Sequence, residues 1–186
     1  VVGGVDRVFE INRNFRNEGM DSSHSPEFTS LEAYEAYSDY KGMAELTRDL
    51  IQQAARDAFD LSEGEEIVRL ADGTEYDLSG EWDRIDLYGS TSEALGEEVT
   101  VETPRETLVK YAERIGLEVD DYAVSGKIVE DIFEELVASK LWAPTFVYDF
   151  PEDTSPLTRY HRSRPGLTEK WDLYVRGFET GTAYSE

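Results

Sequence analysis

The stretch RNFRNEGMDSSHSPEFT, residues 13–29, carries two arginines, two glutamates and a histidine around a polar loop. Arginine suits a phosphate or a carboxylate because its planar fork donates two parallel hydrogen bonds and stays charged. Arg16 could therefore bind such an anion, although a surface ion pair with Glu18 or Glu10 accounts for the same residue. His24 is one of only two histidines, and no histidine pair has the spacing of a zinc site.

A second set of candidate residues lies in the last part of the chain, where Asp172, Glu179 and Glu186 follow one another at intervals of seven residues. Odd separations put side chains on opposite faces of a regular strand, so these carboxylates share a site only if a bend or bulge at Gly177 or Gly181 intervenes. Carboxylates near an arginine suggest Mg²⁺ that enters with a polyphosphate. The chain has neither a Walker lysine loop nor a GxGxxG motif, which excludes both common phosphate-binding loops.

Several segments have the aromatic and β-branched content that favours strands and would position these residues. They are residues 7–15, 27–37, 67–78, 144–151 and 169–186. The first two are predicted to form a strand, a loop and a returning strand. Asp72-Gly73, between apolar flanks, predicts a hairpin within the third segment.

Apolar residues at spacings of three and four predict an amphipathic helix from Asp39 to near Phe59. These are Met43, Leu46, Leu50, Ile51, Ala54 and Ala58. A second helix is marked by its ends: Thr103 as cap, Pro104 at the first helical position, Glu106 completing a capping box, and Gly116 ending the helix.

A third helix is predicted from Ile128 to about Ser139. Between Ser90 and Lys140, 13 acidic residues stand against five basic ones. Such a run is typical of a solvated helical face, so no chemistry is assigned to these carboxylates.

The composition narrows the classes of partner. With 41 acidic and 18 basic residues the net charge is −23, which repels nucleic acid, anionic membranes and nucleotides except where arginines cluster. The densest basic cluster is SPLTRYHRSRPG, with Arg159, His161, Arg162 and Arg164. The absence of cysteine excludes disulfides and thiolate chemistry. Without an apolar run long enough to span a bilayer, or a signal peptide, we expect a soluble, cytoplasmic protein.

Two long stretches carry a resemblance to a known family. RVFEINRNFRNEGMDSSHSPEFTSLEAYEAYSDY resembles motif 2 of the class II lysyl-tRNA synthetases, and PTFVYDFPEDTSPLTRYHRSRPGLTEKWDLYVRGFETGTAYSE resembles the later active-site strands of that family. The middle of the chain resembles the helical insertion of bacterial, especially actinobacterial, members. The resemblance implies ATP-dependent activation of lysine to lysyl-adenylate, and then transfer to tRNA.

The resemblance also implies roles for individual residues around ATP. Arg16 would contact the α-phosphate of ATP and the carboxylate of lysine. Glu18 and His24 would bind the nucleotide, and Phe28 would stack on adenine. A fixed guanidinium there would stabilise the charge that develops as the lysine carboxylate attacks the α-phosphorus.

For lysine, the resemblance implies a pocket that includes Glu32, Tyr34, Thr182, Tyr184 and Glu186. A cationic side chain needs acidic partners, and leaving them unpaired would reject neutral amino acids. The family commonly has asparagine where Thr182 stands, and a hydroxyl cannot reproduce the donor pair of an amide. Phenylalanine is common in the family where Tyr184 stands.

Asp172 and Glu179 match the family's Mg²⁺ carboxylates, although the first is commonly glutamate. The fold expected is α+β: part of the class II aminoacyl-tRNA synthetase antiparallel sheet with flanking helices and a helical insertion. We divide it into 1–60 with the motif 2 strands, 61–143 with a β-hairpin and the insertion, and 144–186 with the later strands.

The family's anticodon-binding barrel, motif 1 and motif 3 are not found in this sequence, so we expect a fragment of a longer, homodimeric parent. The parent would bind lysine, ATP and tRNA(Lys), and no membrane. Two alternatives remain: a related enzyme that donates lysine to a lipid, and a non-catalytic fragment that only binds a partner or substrate.

Overall fold

The computed structural model describes residues 1–17, 19 and 24–186, which form two compact units, Val1–Ser38 and Asp39–Glu186. The first unit is an antiparallel hairpin of β1 (Arg7–Phe15) and β2 (Glu27–Glu35), paired along its whole length. Both predicted strands are confirmed, with the second ending two residues early.

Register gives this hairpin two chemically different faces, because directly opposite residues in an antiparallel pair project to the same side. Phe9 faces Ala33 and Ile11 faces Leu31, which makes one face largely apolar. The other face is polar and includes Glu10 opposite Glu32. Phe9 remains 73% exposed, so the ribbon does not have a packed core of its own.

The second unit combines helices with three further strand groupings. In chain order its elements are α1 (Tyr40–Phe59), β3 (Ile67–Arg69), β4 (Glu75–Asp77), β5 (Asp83–Asp86), α2 (Leu87–Leu95), α3 (Arg105–Arg114), α4 (Ser125–Leu136), β6 (Thr145–Tyr148), β7 (Lys170–Val175) and β8 (Phe178–Tyr184). The strands β3 and β4 form the predicted hairpin. The order in the main sheet is β5-β6-β7-β8.

The main sheet separates two hydrophobic clusters. On one face α1 packs through Tyr40 and Ala44 against Trp171, Leu173 and Phe146. On the other face α2, α3 and α4 cover a larger core. It includes Leu87, Leu108, Ile128, Ile132, Phe133, Val147 and Tyr174. The adjacent residues Leu173 and Tyr174 thus serve opposite cores, as the period of two in a strand requires.

The sheet is not wholly antiparallel, which corrects the expectation from sequence. The strand β5 runs parallel to β6, whereas β6, β7 and β8 are antiparallel neighbours. Its sequence DRID is short and polar, so its pairing depends on β6, some sixty residues later. Neither β5 nor α2 was predicted. The side chain of Asp86 begins α2 by accepting a hydrogen bond from the Gly89 amide at 2.7 Å.

The helix ends predicted from the local sequence agree with the structure to different degrees. The helix α1 is confirmed, and Asp39 caps it by accepting from the amides of Lys41 and Gly42. The capping box predicted for α3 is wrong. Pro104 occupies the N-cap position without a side-chain cap, and the Thr103 hydroxyl accepts instead from the Thr100 amide at 2.8 Å.

The third predicted helix begins three residues earlier than expected, at Ser125, and ends at Leu136 before a 3₁₀ turn over Ala138–Lys140. Asp153, far along the chain, accepts a hydrogen bond from the Gly126 amide at 3.1 Å and so satisfies a donor in the first turn. A distant cap of this kind leaves no signal in the local sequence. Among the described residues, no helix is long and apolar enough to cross a membrane.

Candidate active site

Arg16 directly follows β1, at the end of the β1–β2 hairpin where the connecting segment begins. The Arg16 amide donates to the carbonyl of Pro26 at 2.9 Å and thereby extends the pairing beyond Phe15. Its guanidinium carbon lies 5.5 Å from the centroid of the Phe28 ring, a cation–π distance. In the described part of the chain, no carboxylate forms an ion pair with Arg16, so the alternative pair with Glu10 is absent. Glu18 lies outside the described residues.

Phe28, Glu32 and Tyr34 follow one another on the polar face of β2. The Tyr34 hydroxyl donates to Oε2 of Glu32 at 3.0 Å. Glu10 lies directly opposite Glu32 in the register, and like charges in that position disfavour the ribbon. A cation bound on this face would relieve that repulsion. His24 is exposed near the start of the returning strand.

In the second unit, Thr182 and Tyr184 project from β8 toward the same side of the sheet as Asp172. Thr182 is the register partner of Asp172, and Tyr184 that of Lys170. The Thr182 hydroxyl donates to the carbonyl of Trp171 at 3.1 Å and is therefore used by the backbone. Because this hydroxyl already binds a main-chain carbonyl, Thr182 differs further from the asparagine that is common in the family at this position.

Glu186 is exposed just beyond β8, where it borders an open cavity of about 690 Å³. The other lining residues are Pro156, Leu157, Thr158, Arg159 and Tyr160. Glu186 does not share the buried environment of Asp172.

The carboxylates of Asp172 and Glu179 share one face because the chain reverses between them. Arg176 and Gly177 form the turn of the β7–β8 hairpin with positive φ angles of 56° and 78°. A register shift between Leu173 and Tyr174 then pairs Glu179 with Tyr174 rather than with Val175, which places it on the same face as Asp172. The intervening bend expected at Gly177 is confirmed, in the form of a complete hairpin turn.

Asp172 occupies an unusual environment for a carboxylate, since its side chain is only 5% exposed. Lys170, two residues earlier and on the same face, donates to Oδ2 at 2.9 Å. The other oxygen, Oδ1, is buried and has no hydrogen-bond partner among the described residues. A buried carboxylate oxygen without a partner costs free energy, and a bound cation is one way in which it could be satisfied.

The helix α4 contributes two acidic residues to this region. Glu134 accepts a hydrogen bond from the Tyr174 hydroxyl, and Glu130 accepts one from Thr154 at 2.6 Å. Burial raises the pKa of Glu130, opposed by the Thr154 hydrogen bond and by nearby lysines. The expectation that acids in residues 90–140 are merely solvated is therefore wrong for Glu130.

Glu179 has the most perturbed carboxyl group of this hairpin. Desolvation of the carboxylate, followed by the negative charge of Asp172, raises its pKa to about 7, and Lys170 opposes the shift. The residue as a whole remains exposed at the edge strand, so the neighbouring charges are a necessary part of this effect. Such a carboxyl group is poised to lose its proton when a cation binds.

Most of the basic cluster neutralises acids rather than facing a ligand. Arg164 pairs with Asp86 and Asp149, both at 2.5 Å. Arg162 pairs with the buried Glu169 at 3.0 Å. Sequence reasoning identified the cluster but had no signal for these acidic partners, which come from other elements of the unit.

Main-chain amides orient the imidazole of His161. Its Nδ1 accepts hydrogen bonds from the amides of Ser163 and Arg164, at 3.1 and 3.0 Å. Nε2 lies 3.6 Å from Asp149, whose other oxygen accepts from the Tyr40 hydroxyl at 2.9 Å. These contacts fix the segment before β7 to the start of α1.

Comparison with known proteins identifies the family of this chain. The sequence pattern of the family described as tRNA synthetases class II (D, K and N) matches residues 1–186. The chain belongs to this family.

Named relatives narrow the likeness further. The chain is 60% identical over 187 residues to a lysine–tRNA ligase of Kineococcus radiotolerans, and 59% identical over 188 residues to one of Mycolicibacterium gilvum. It is 48% identical over 189 residues to the lysylphosphatidylglycerol biosynthesis bifunctional protein LysX of Gordonia bronchialis. Each comparison covers 100% of this chain, but only 37% of each ligase and 16% of the bifunctional protein.

Proposed function

We propose that this chain is a catalytic portion of a lysine–tRNA ligase that activates lysine with ATP to lysyl-adenylate and transfers it to tRNA. The observation that carries the proposal is the register of the β1–β2 hairpin. It presents a guanidinium, an aromatic ring and a carboxylate along one face, the groups needed for a phosphate, a purine and an ammonium. The identity to two lysine–tRNA ligases over the whole chain supports it.

In this proposal Arg16 binds the α-phosphate of ATP and the lysine carboxylate. Among the described residues no carboxylate pairs with this guanidinium, and its fork can contact two oxygens of an anion at once. The guanidinium carbon lies 5.5 Å from the centroid of the Phe28 ring, and the opposite face of that ring is proposed to stack on adenine. Glu18 and His24 are proposed to bind the nucleotide.

Lysine specificity is proposed to come from Glu32, Tyr34 and Glu186, with Thr182 and Tyr184 as further contacts. Tyr34 holds the Glu32 carboxylate by a hydrogen bond and so reduces the number of its conformations. A neutral amino acid would leave these acidic groups unpaired, which is how a site rejects an analogue that lacks a charge.

Asp172 and Glu179 fit Mg²⁺, because Oδ1 of Asp172 is a buried hard donor without a partner in the described residues and Glu179 lies on the same face. Within the described residues, no group of three or more acidic or histidine side chains could hold a metal. Two carboxylates would therefore hold Mg²⁺ together with phosphate oxygens of ATP. When bound, the ion would neutralise charge on those phosphates.

The remaining expectations belong to the same proposal. Transfer to tRNA(Lys) implies a cytoplasmic enzyme, and the longer parent is proposed to be a homodimer. The division into 1–60, 61–143 and 144–186 stays a prediction. A second candidate, in which activated lysine passes to a lipid, is favoured by the relative named for lysylphosphatidylglycerol biosynthesis.

Lysine-dependent exchange of pyrophosphate into ATP tests the proposal, using the longest natural chain that contains these residues. Arg16→Ala is expected to lower kcat/KM at least about 100-fold, the effect of removing a group that stabilises transition-state charge. Arg16→Lys is also expected to fail, because an ammonium lacks the fork. Arg7→Ala is the matched control, since Arg7 lies on the other face of β1 and pairs with Glu35.

Activity of Arg16→Ala within about tenfold of the unmodified protein, a barrier change of about 1.4 kcal/mol, would contradict the role of Arg16. The product that accumulates with tRNA or with phosphatidylglycerol vesicles then distinguishes the two candidate functions.

A further inference from the structure

We propose that Lys170 is a positioning residue that occupies one oxygen of Asp172 and thereby makes divalent-cation binding at Asp172 and Glu179 depend on the nucleotide. This inference rests on the proposed function, which assigns those two carboxylates to Mg²⁺. It concerns a residue that the family resemblance did not single out.

The Lys170 ammonium is fixed from two sides. It donates to Oδ2 of Asp172 at 2.9 Å and lies 4.0 Å from the centroid of the Phe150 ring. Phe150 itself is buried. With side chains 21% and 5% exposed, Lys170 and Asp172 form a partly desolvated pair, which solvent screens less than a surface pair.

The ion pair with Lys170 makes the two carboxylate oxygens of Asp172 different. Oδ2 is taken by the ammonium, whereas Oδ1 is buried without a partner among the described residues. A cation can therefore use Asp172 through a single oxygen, because bidentate binding would require Lys170 to leave. The lysine selects a monodentate arrangement.

Lys170 also partly neutralises the negative charge around Asp172 and Glu179. Its positive charge opposes those of Asp172 and Glu179 on the β7–β8 hairpin and that of Glu130 on α4. With the lysine present, a divalent cation meets one available buried oxygen and a partly compensated field. Phosphate oxygens of ATP would supply the missing ligands and charge, so the ion binds well only with the nucleotide.

Replacing Lys170 by an uncharged residue of similar length should remove this dependence. Lys170→Met frees Oδ2 and removes one positive charge. We expect the affinity for Mn²⁺ without nucleotide to rise about tenfold, as one nearby charge typically shifts such equilibria by an order of magnitude or more. The affinity measured with ATP should change far less, so the coupling between ATP and metal falls.

The test measures Mn²⁺ binding to the purified protein by the electron paramagnetic resonance signal of the free ion, with and without ATP. Lys127→Met is the matched control, because Lys127 forms an i,i+4 pair with Asp131 on the surface of α4. It should stay within about twofold of the unmodified protein. Lys170→Arg, which keeps the charge, should also bind Mn²⁺ weakly without ATP.

A gain in Lys170→Met that disappears in Lys170→Met/Asp172→Asn would support the proposal. Mn²⁺ affinity that is unchanged or weaker in a folded Lys170→Met protein would overturn it, and Lys170→Gln provides the same comparison if the Met variant does not fold. Because nucleotide-free binding requires no lysine activation, this outcome is separate from failure of the pyrophosphate exchange. If the protein exchanged pyrophosphate normally but Lys170→Met did not change Mn²⁺ binding, only this inference would be contradicted.

Discussion

The two hairpins that carry the proposed substrate-binding residues differ in what holds their side chains in place. In β1–β2, the Phe9 and Ile11 side chains are 73% and 63% exposed, so strand register and contacts between surface side chains order the polar face without a packed core. In β7–β8, Trp171 and Leu173 are each 1% exposed and anchor β7 in a packed sheet. Functional side chains can thus be positioned either by strand pairing or by a packed core. We expect the two hairpins to differ in how strongly mutations destabilise them.

Core truncation should reveal the largest difference between the hairpins. Trp171→Ala is expected to lower the free energy of unfolding by about 3–5 kcal/mol, because it removes a buried ring. It also removes the indole hydrogen bond to the Tyr40 carbonyl at 2.6 Å. Phe9→Ala should cost less than about 1 kcal/mol in the same chain. Urea unfolding followed by circular dichroism measures both, and similar losses would refute the contrast.

Removal of an ion pair should also affect stability differently in the two units, although by less than truncation of the core does. Arg164→Met leaves the buried Asp149 carboxylate with one fewer charged partner and should cost about 2 kcal/mol. Arg7→Met breaks the pair with Glu35 at 2.6 Å, but Arg7 is 81% exposed. Its removal should change stability by no more than about 0.5 kcal/mol. If Arg7→Met proved the more damaging in denaturant titrations, the ribbon would be held by charge rather than register.

The smallest effect concerns pH. Glu179 has a raised pKa, so below about pH 4.5 both folded and unfolded forms are protonated and the group contributes no pH dependence. As the pH rises from about 4.5 to 7 the unfolded chain ionises first, and stability falls. Glu179→Gln should therefore raise the Tm at pH 7.5 but not at pH 4. An equal shift at both pH values would exclude an electrostatic origin.

Glu27→Gln serves as the control for this pH experiment in the other hairpin. Glu27 lies at the start of β2 and forms a long, exposed pair with Arg13 at 3.4 Å. Because an exposed pair contributes little to stability, Glu27→Gln is expected to change the Tm much less than Glu179→Gln does. A profile altered as strongly as that of Glu179→Gln would remove the distinction between the two hairpins.

Elements with a local signal were predictable. Alternating β-prone residues gave β1 and β2, an Asp-Gly turn gave the β3–β4 hairpin, and apolar spacing gave α1. By contrast, β5 depends on a partner strand far along the chain, and α4 begins where Asp153 caps it. Such features need contacts that periodicity does not encode.

The features of the candidate site likewise fall into two groups, those that the sequence predicts and those that only the structure shows. Residue types and a family resemblance selected Arg16, Asp172 and Glu179. Burial of Asp172, its unpartnered oxygen and the ammonium of Lys170 follow only from packing around Phe150. The spacing of Lys170 and Asp172 by two residues was a usable signal, since such residues share a face of a strand.

The position of β8 at the end of the β5-β6-β7-β8 order has a consequence for the behaviour of the chain in solution. Its sequence FETGTAY contains neither proline nor lysine, the residues that usually discourage strand pairing at a sheet edge. The net charge of −23 keeps copies apart at low ionic strength. In about 1 M salt, where the screening length is only about 3 Å, that repulsion is lost. Purified chain is then expected to associate edge to edge, and colloidal stability should decrease as salt increases.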